Sequence, residues 1–273
     1  MVLFRKNKET PQKVAVVSGA SGGIGRALCL QLRQRGYRVI GLSRQNAAAA
    51  DTAYVDCMLA CDLTDSHSIN ETARTIGQTS ASVDLFIFCA GVISPQSVAT
   101  LEHAPVIEQI QTNLLGVMLL TNAILPIMAK DSHIIYANSM AGIFPLAGSS
   151  AYTASKFGLR GFALALEQEL KPRHIRVSSV FPGSVNTSML ATEMERGGSV
   201  LNFMSAPQEP EAIAAWILSP HVRKHVENFP SSFDRLFCSL FLWSPGFLRL
   251  CLPLMTAWAK SRRAHYRKSN KTT

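Results

Sequence analysis

Two rhythms of apolar residues alternate along most of this chain. Val14–Ser18 is a short continuous apolar run, which suits a parallel strand covered on both faces better than a strand with one wet side. Immediately afterwards Ile24, Ala27, Leu28 and Leu32 recur at helical spacing, and the run over 24–35 stops at Gly36, a common helix terminator. The exchange then repeats. Residues 37–42 read as a second strand, 54–61 contain a third, 65–77 read as a helix and 83–89 as a fourth strand. A long helical stretch over 103–129, bent near Pro126, precedes a fifth strand at 133–138; a helix over 152–170 and a sixth strand at 175–181 complete the series. This order predicts an α/β fold, a Rossmann-type doubly wound parallel sheet with right-handed crossovers and helices on both faces. No internal repeat is present, and the alanine run at 47–50 reads as a surface loop.

Past about Pro220 the rhythm changes. Residues 223–229 make a poor strand, and 236–259 carry Arg249 as their only charge, with Trp243 and Trp258 near the ends. A bilayer-spanning helix needs about 20 mostly apolar residues, and Pro245, Gly246, Arg249 and Pro253 interrupt one here. Two arrangements fit: broken interfacial helices attached to an anionic membrane face, or an extension packed over a substrate pocket or a partner subunit. The expected organisation is a polar leader over 1–12, a sheet-forming domain over 13–220, and an apolar and basic helical extension over 221–273.

Composition narrows the class. Of 273 residues 47% are hydrophobic and 16% charged, which supports a large core and excludes a disordered chain. The net charge of +9 belongs mostly to the end: Lys260, Arg262, Arg263, Arg267, Lys268 and Lys271 fall where no acid stands. Basic charge confined to a tail does not make the body a nucleic-acid binder, and no aromatic–basic interleaving or zinc spacing points that way. No metal site is expected. The six cysteines form no CxxC pair and read as reduced thiols, with Cys29 and Cys89 in the core. The opening residues lack a signal-peptide apolar run, so a cytoplasmic location is expected, peripheral on the cytoplasmic membrane face if the tail binds lipid.

The chemistry concentrates at strand ends. The first strand runs into Ser18-Gly19-Ala20-Ser21-Gly22-Gly23-Ile24-Gly25, where glycines allow a sharp turn, bring backbone N–H groups close to a pyrophosphate and aim the next helix N-terminus at it. Its G-x3-G-x-G spacing differs from the GxGxxG dinucleotide fingerprint. Tyr152 and Lys156 stand four apart on one helix face, and Ser139 follows the fifth strand. Taken alone, each has an ordinary reading: a packed tyrosine, a capping serine, an Asn113 satisfying backbone.

Together with Cys89-Ala90-Gly91 (where Asn-Ala-Gly is commoner), Asn113 and Pro182-Gly183, these motifs resemble the short-chain dehydrogenase/reductase family over about residues 13–218. The resemblance implies an NADP(H)-dependent oxidoreductase interconverting a ketone and a secondary alcohol. Tyr152 would be the general acid or base, Lys156 would favour its phenolate and hold the nicotinamide ribose, Ser139 would donate to the substrate oxygen, and Asn113 would hold a proton-relay water. Gly19, Ser21, Gly22, Gly23, Ile24 and Gly25 would cradle the cofactor's phosphates. Asp62 would meet its adenine, and Leu63, Ala90, Gly91, Pro182, Gly183, Val185 and Thr187 would complete the cofactor-binding set. An acid after the second strand would select NAD; Ser43 and Arg44 stand there instead and point to a 2′-phosphate. Asp62 or Asp65 could equally cap a helix.

The segments after the serine and after the sixth strand would shape the pocket. They supply Met140, Ile143, Phe144, Met189, Leu190, Met194, Leu201, Phe203 and Met204, which suit an apolar, lipid-like substrate, and Gly197-Gly198 would let a lid move. Met140, Phe144, Met189 and Met194 are the substrate candidates. The resemblance also implies homodimers or tetramers built on the long helices. A non-catalytic NADP(H)-sensing or scaffolding protein, or a redox-neutral epimerisation or dehydration, would fit the same motifs.

Overall fold

Strands β1 (Val14–Ser18), β2 (Arg38–Ser43), β3 (Cys57–Ala60), β4 (Val83–Phe88), β5 (Met128–Ala137), β6 (Arg176–Val180) and β7 (Glu227–Asn228) form one parallel sheet in the order 3-2-1-4-5-6-7. The computed structural model describes residues 12–44 and 53–269. The alanine run at 47–50, the leader up to residue 11, Lys271 and the side chains of Phe203, Arg267 and Lys268 lie outside the described residues.

Along β1 the side chains alternate between two cores, which explains its unbroken apolar run. Val14 and Val16 join Ile69, Ala73 and Ile76 of α2 (Ser66–Thr79), together with a long helical run and the helix before β6. Ala15 and Val17 face Leu28, Cys29 and Leu32 of α1 (Gly23–Gln34) and a later helix that carries Ile213 and Ile217. The strand order reverses between β1 and β4, so a crevice opens there at the carboxyl ends of the strands, where ligands bind in such sheets.

The expected 103–129 helix is instead four pieces: α3 (His103–Ile110), a π turn (Gln111–Leu115), α4 (Gly116–Ile124) and a 3-10 turn (Leu125–Ile127). Pro126 lacks an N–H and clashes with a preceding turn, so the α-helix stops at Ile124. Met128 then pairs with Val83, and β5 starts five residues earlier than expected, with a register shift before His133 and Asp131 at φ 63°. The run His103–Ile127 is apolar and long enough to cross a membrane by length and composition, yet Val117, Leu120 and Ile124 pack into the core.

α5 (Ser150–Leu170) covers the same face, and α6 (Ser188–Glu195) and α7 (Pro210–Ile217) follow β6. Strand β7 comes from within the 221–273 segment and extends the sheet by two residues, latched to α5 by Arg160, whose Nε lies 2.5 Å from a Glu227 carboxylate oxygen. The remaining extension folds as α8 (Ser232–Trp243) and α9 (Pro245–Ser269), the latter running through Pro253. Their inner faces pack Cys238, Phe241 and Met255 against Ile143, Phe144, Phe181 and Phe229.

Candidate active site

The turn after β1 has no room for side chains. Gly19 sits at φ +67°, and a Cβ there would lie 2.7 Å from the Ala90 backbone; a Cβ on Gly25 would lie 2.0 Å from the Gly19 carbonyl oxygen. Helix α1 is preceded by Gly22, which offers no side-chain cap, and has no acid in its first turn, so its first N–H groups and the positive end of its dipole face outward. They open onto a cavity of about 580 Å³ at the switch point. Ser21, Gly22, Gly23 and Ile24 line it beside Gly19 and Gly25; Ser43, Arg44 and Leu63 form one wall, and Ala90, Gly91, Thr187 and Met189 another. This cradle fits a dinucleotide: the glycines give its phosphates backbone donors at close range, and the volume suits a bound cofactor.

Several expected contacts are otherwise engaged. Asp62 Oδ1 accepts from the Thr64 amide and hydroxyl, both at 2.8 Å, and these bonds hold its carboxyl below the usual range. Its neighbours Cys61 and Leu63 line the cavity, and Asp65 caps α2 through the His67 amide. Arg44 pairs at 3.0 Å with Glu108 on α3, and the Ser43 and Ser21 hydroxyls are 2.9 Å apart. Pro182 accepts a hydrogen bond from the Met140 amide, Gly183 is half-buried, and Val185 packs into the core of the α1 face.

Behind the cavity wall the sequence candidates converge. Tyr152 and Lys156 share the inner face of α5, with the ammonium nitrogen 5.6 Å from the phenol ring centroid. Ser139, two residues past the end of β5, accepts from the Ala141 amide at 3.1 Å and lies beside Tyr152. Burial pushes the Tyr152 phenol well above its ordinary range, Glu193 adds to the rise, and the Ser139 side chain opposes it. The pull toward phenolate expected from Lys156 therefore does not dominate in the protein alone. Burial also brings Lys156 down to about 8, while its Nζ donates to the Ala137 carbonyl at 3.2 Å.

Asn113 lies in the π turn, a distortion that recurs at functional sites. Its Oδ1 accepts from the Val92 amide and its Nδ2 donates to the Val92 carbonyl, both at 2.8 Å, with a further bond to Ser155 at 3.3 Å. The side chain thus clamps the loop after β4.

The substrate candidates separate. Met189 lines the cavity and packs with Leu201, Ile93, Ala141 and Leu146 around Tyr152. Phe144 instead stacks edge-on against Phe237 and Phe241 of α8, and Met140 packs in the same cluster. Met194 offers its backbone carbonyl to Arg263 of α9 at 3.4 Å.

Sequence reasoning missed Glu193. It is buried on α6 beside Leu190, burial pushes its carboxyl up to about 7, and Asn202 donates to it at 2.7 Å. An acid three residues after Leu190, and so on the same helix face as that apolar side chain, was the available signal. All six cysteines are free, and burial raises Cys29, Cys89 and Cys238 to about 12, as expected of structural thiols. Among the described residues no cluster could hold a metal ion.

Comparison with known proteins places this geometry. The sequence profile described as short chain dehydrogenase matches residues 13–197. A 3-oxoacyl-[acyl-carrier-protein] reductase from Bos taurus is 34% identical over 224 residues, covering 78% of this chain and 94% of the relative. The Drosophila melanogaster dehydrogenase/reductase SDR family protein 7-like is 28% identical over 273 residues, covering 94% of this chain and 82% of that one. Among solved structures, a short chain dehydrogenase from Burkholderia cenocepacia in complex with NADP superposes with a TM-score of 0.74 at 21% identity, over 88% of this chain and 97% of that one.

Proposed function

The chain belongs to the short-chain dehydrogenase family, oxidoreductases that bind a nicotinamide cofactor, and we propose that it reduces ketones on apolar, lipid-like molecules with NADPH, or oxidises the matching secondary alcohols with NADP. One observation carries the reading: Tyr152 stands one helical turn from Lys156 and beside Ser139, directly behind a glycine-walled cavity. When bound there, the cofactor supplies or accepts the hydride. Tyr152, held protonated by burial, delivers its proton to the substrate oxygen in the reductive direction. Ser139 donates a hydrogen bond to that oxygen as negative charge develops on it. Lys156, a buried cation beside the ring, stabilises the phenolate left behind.

Two features support the finer choices. Arg44 and Ser43 stand at the cavity wall after β2, where an adenosine 2′-phosphate would lie, and Arg44 can exchange Glu108 for that phosphate. Met189 and Leu201 line the approach to Tyr152 with apolar surface, and the similar reductases are named for 3-oxoacyl substrates, ketones on an acyl chain. Exposed Ile107, Leu115, Met118, Leu119 and Phe157 on the α3–α5 side support a homodimer or tetramer.

The test is consumption of NADPH, followed by absorbance, across 3-oxoacyl thioesters, long-chain ketones and polar sugars. Stoichiometric consumption with the acyl and long-chain ketones is expected. Tyr152→Phe should lower turnover by at least about 100-fold, a typical general-acid contribution, while NADPH still binds; Lys156→Ala should impair both. Wild-type turnover in Tyr152→Phe would refute the mechanism. NADPH binding without consumption would favour a sensing protein, and conversion without net consumption a redox-neutral reaction.

A further inference from the structure

Helices α8 and α9 are apolar on two sides, and the fold uses only one of them. The inner side closes the aromatic cluster over Phe144 and Phe181. On the outer side of α8, Leu236, Leu240 and Trp243 are spaced four and three residues apart and exposed, Trp243 at 85%. On α9, Phe247, Leu250, Leu254 and Trp258 repeat the pattern, with Leu250 at 74% and Leu254 at 76% exposed. Residues at these spacings share one helix face, so each helix presents a continuous apolar stripe, the one on α9 about 16 Å long at 1.5 Å per residue. Exposed single apolar residues are ordinary; seven aligned on two consecutive helices mark an interaction surface.

We infer that this outer face seats in the interfacial layer of an anionic lipid bilayer. Charge complementarity selects the occupant. The stripe on α9 ends at Trp258, and the cations Lys260, Arg262, Arg263, Arg267, Lys268 and Lys271 follow with no acid among them. Apolar stripes bearing tryptophans beside a cationic end match the acyl–headgroup boundary of a negatively charged leaflet. A second copy of this chain fits less well, since its matching face would bring the two basic ends into one assembly. Neither helix spans: Pro245 and Gly246 break the run, and α9 is held flat to the domain by Met255 and by the Arg263 bond to Met194. The inference is independent of the hydride reaction, because partition onto lipid is read without turnover.

The experiment is co-sedimentation of the full chain with phosphatidylcholine vesicles, with and without phosphatidylserine. A triple variant, Trp243→Gln, Leu254→Gln and Trp258→Gln, removes outward side chains only. A second variant, Lys260→Gln, Arg262→Gln, Arg267→Gln and Lys268→Gln, leaves Arg263 on Met194. The full chain should sediment with phosphatidylserine vesicles and less with phosphatidylcholine alone. The triple variant should lose at least about tenfold in partition while keeping its melting temperature and NADPH binding. The charge variant should lose up to about fivefold per cation and much of its salt dependence. Full-length protein left in the supernatant with phosphatidylserine vesicles overturns the inference, as does equal partition of the triple variant. A lipid-free dimer that the triple variant dissociates, without vesicle binding by the wild type, assigns the face to a second copy instead.

Discussion

Replacing Glu193 by glutamine should leave stability nearly unchanged below the carboxyl's ordinary value of 4.5 and make the protein increasingly more stable as pH rises from there through about 7. Burial raises this carboxyl from 4.5 to about 7, against the smaller opposing pulls of the Asn202 bond and the Arg263 charge. The folded protein therefore holds a proton that the unfolded chain releases at lower pH, and folding stability falls as pH rises from the unfolded value through the folded one. At 1.36 kcal/mol per unit, the shift penalises the folded state by roughly 3 kcal/mol once both forms are ionised. Glutamine stays neutral and retains an oxygen to accept from Asn202, so the variant escapes that penalty. In a chain of this size each kcal/mol moves Tm by about 2–4 °C, so a gain of several degrees is expected above neutrality.

The assay is thermal unfolding of wild type and variant over mildly acidic to mildly alkaline pH, read as the difference between the two proteins. The difference matters because His133 acts oppositely. Burial lowers it to about 3, so stability is lost as pH falls through its ordinary value of 6.5 and on toward 3, in both proteins alike. Parallel profiles for wild type and variant, or a variant less stable above neutrality, would refute the assignment of a buried neutral carboxylic acid.

Arg44→Ala should weaken NADPH binding by about 10- to 100-fold, the worth of a charge-assisted contact, and hardly change NADH; Glu108→Ala should shift NADPH the other way by freeing Arg44, and titration of both cofactors checks both. Equal losses for NADPH and NADH in Arg44→Ala would make Arg44 a loop support. Gly116→Ala should destabilise by about 1–3 kcal/mol, because its Cβ would lie 2.1 Å from the Leu63 carbonyl oxygen at the cavity wall. Gly161→Ala, with nothing within 4 Å of the added carbon, should stabilise α5 by about 0.5–1 kcal/mol; denaturant unfolding of the two variants distinguishes them.

What the sequence disclosed depended on how locally each feature is determined. Strands β1 and β4 were legible because burial on both faces leaves a short apolar run, broken in β4 only by Asp84, and the Tyr152–Lys156 pair because helical spacing places both on one side of α5. The start of β5 was not legible: Ala129–Ser132 are mostly polar, and pairing of Met128 with Val83 is a tertiary choice. The π turn around Asn113 left no periodic trace, because residues 114–120 carry no polar side chain and so hide the roughly 100° phase step of one inserted residue. Roles that depend on a partner outside the local turn were hidden for the same reason. The Asp62–Thr64 bonds are local, two residues apart, and of the kind short polar side chains make to neighbouring backbone, whereas nothing near Glu193 showed that Asn202, nine residues on, would donate to it.

The extension was ambiguous in sequence for a more specific reason. On α9, Leu248, Cys251, Met255 and Ala259 run inward, while Phe247, Leu250, Leu254 and Trp258 run outward, each series at steps of three or four. At about 100° per residue the two stripes lie about a quarter-turn apart and together fill most positions. Periodicity that ordinarily reveals a buried face is thereby erased, and the run looks uniformly apolar. A pocket-covering extension and a membrane-seeking one then cease to be alternatives, because one helix can satisfy both. Truncation after Arg235 would remove both functions at once and uncover Phe144, Phe181 and Phe229. Only substitutions confined to the outward stripe separate attachment from folding, and they do so because every residue changed already faces away from the core.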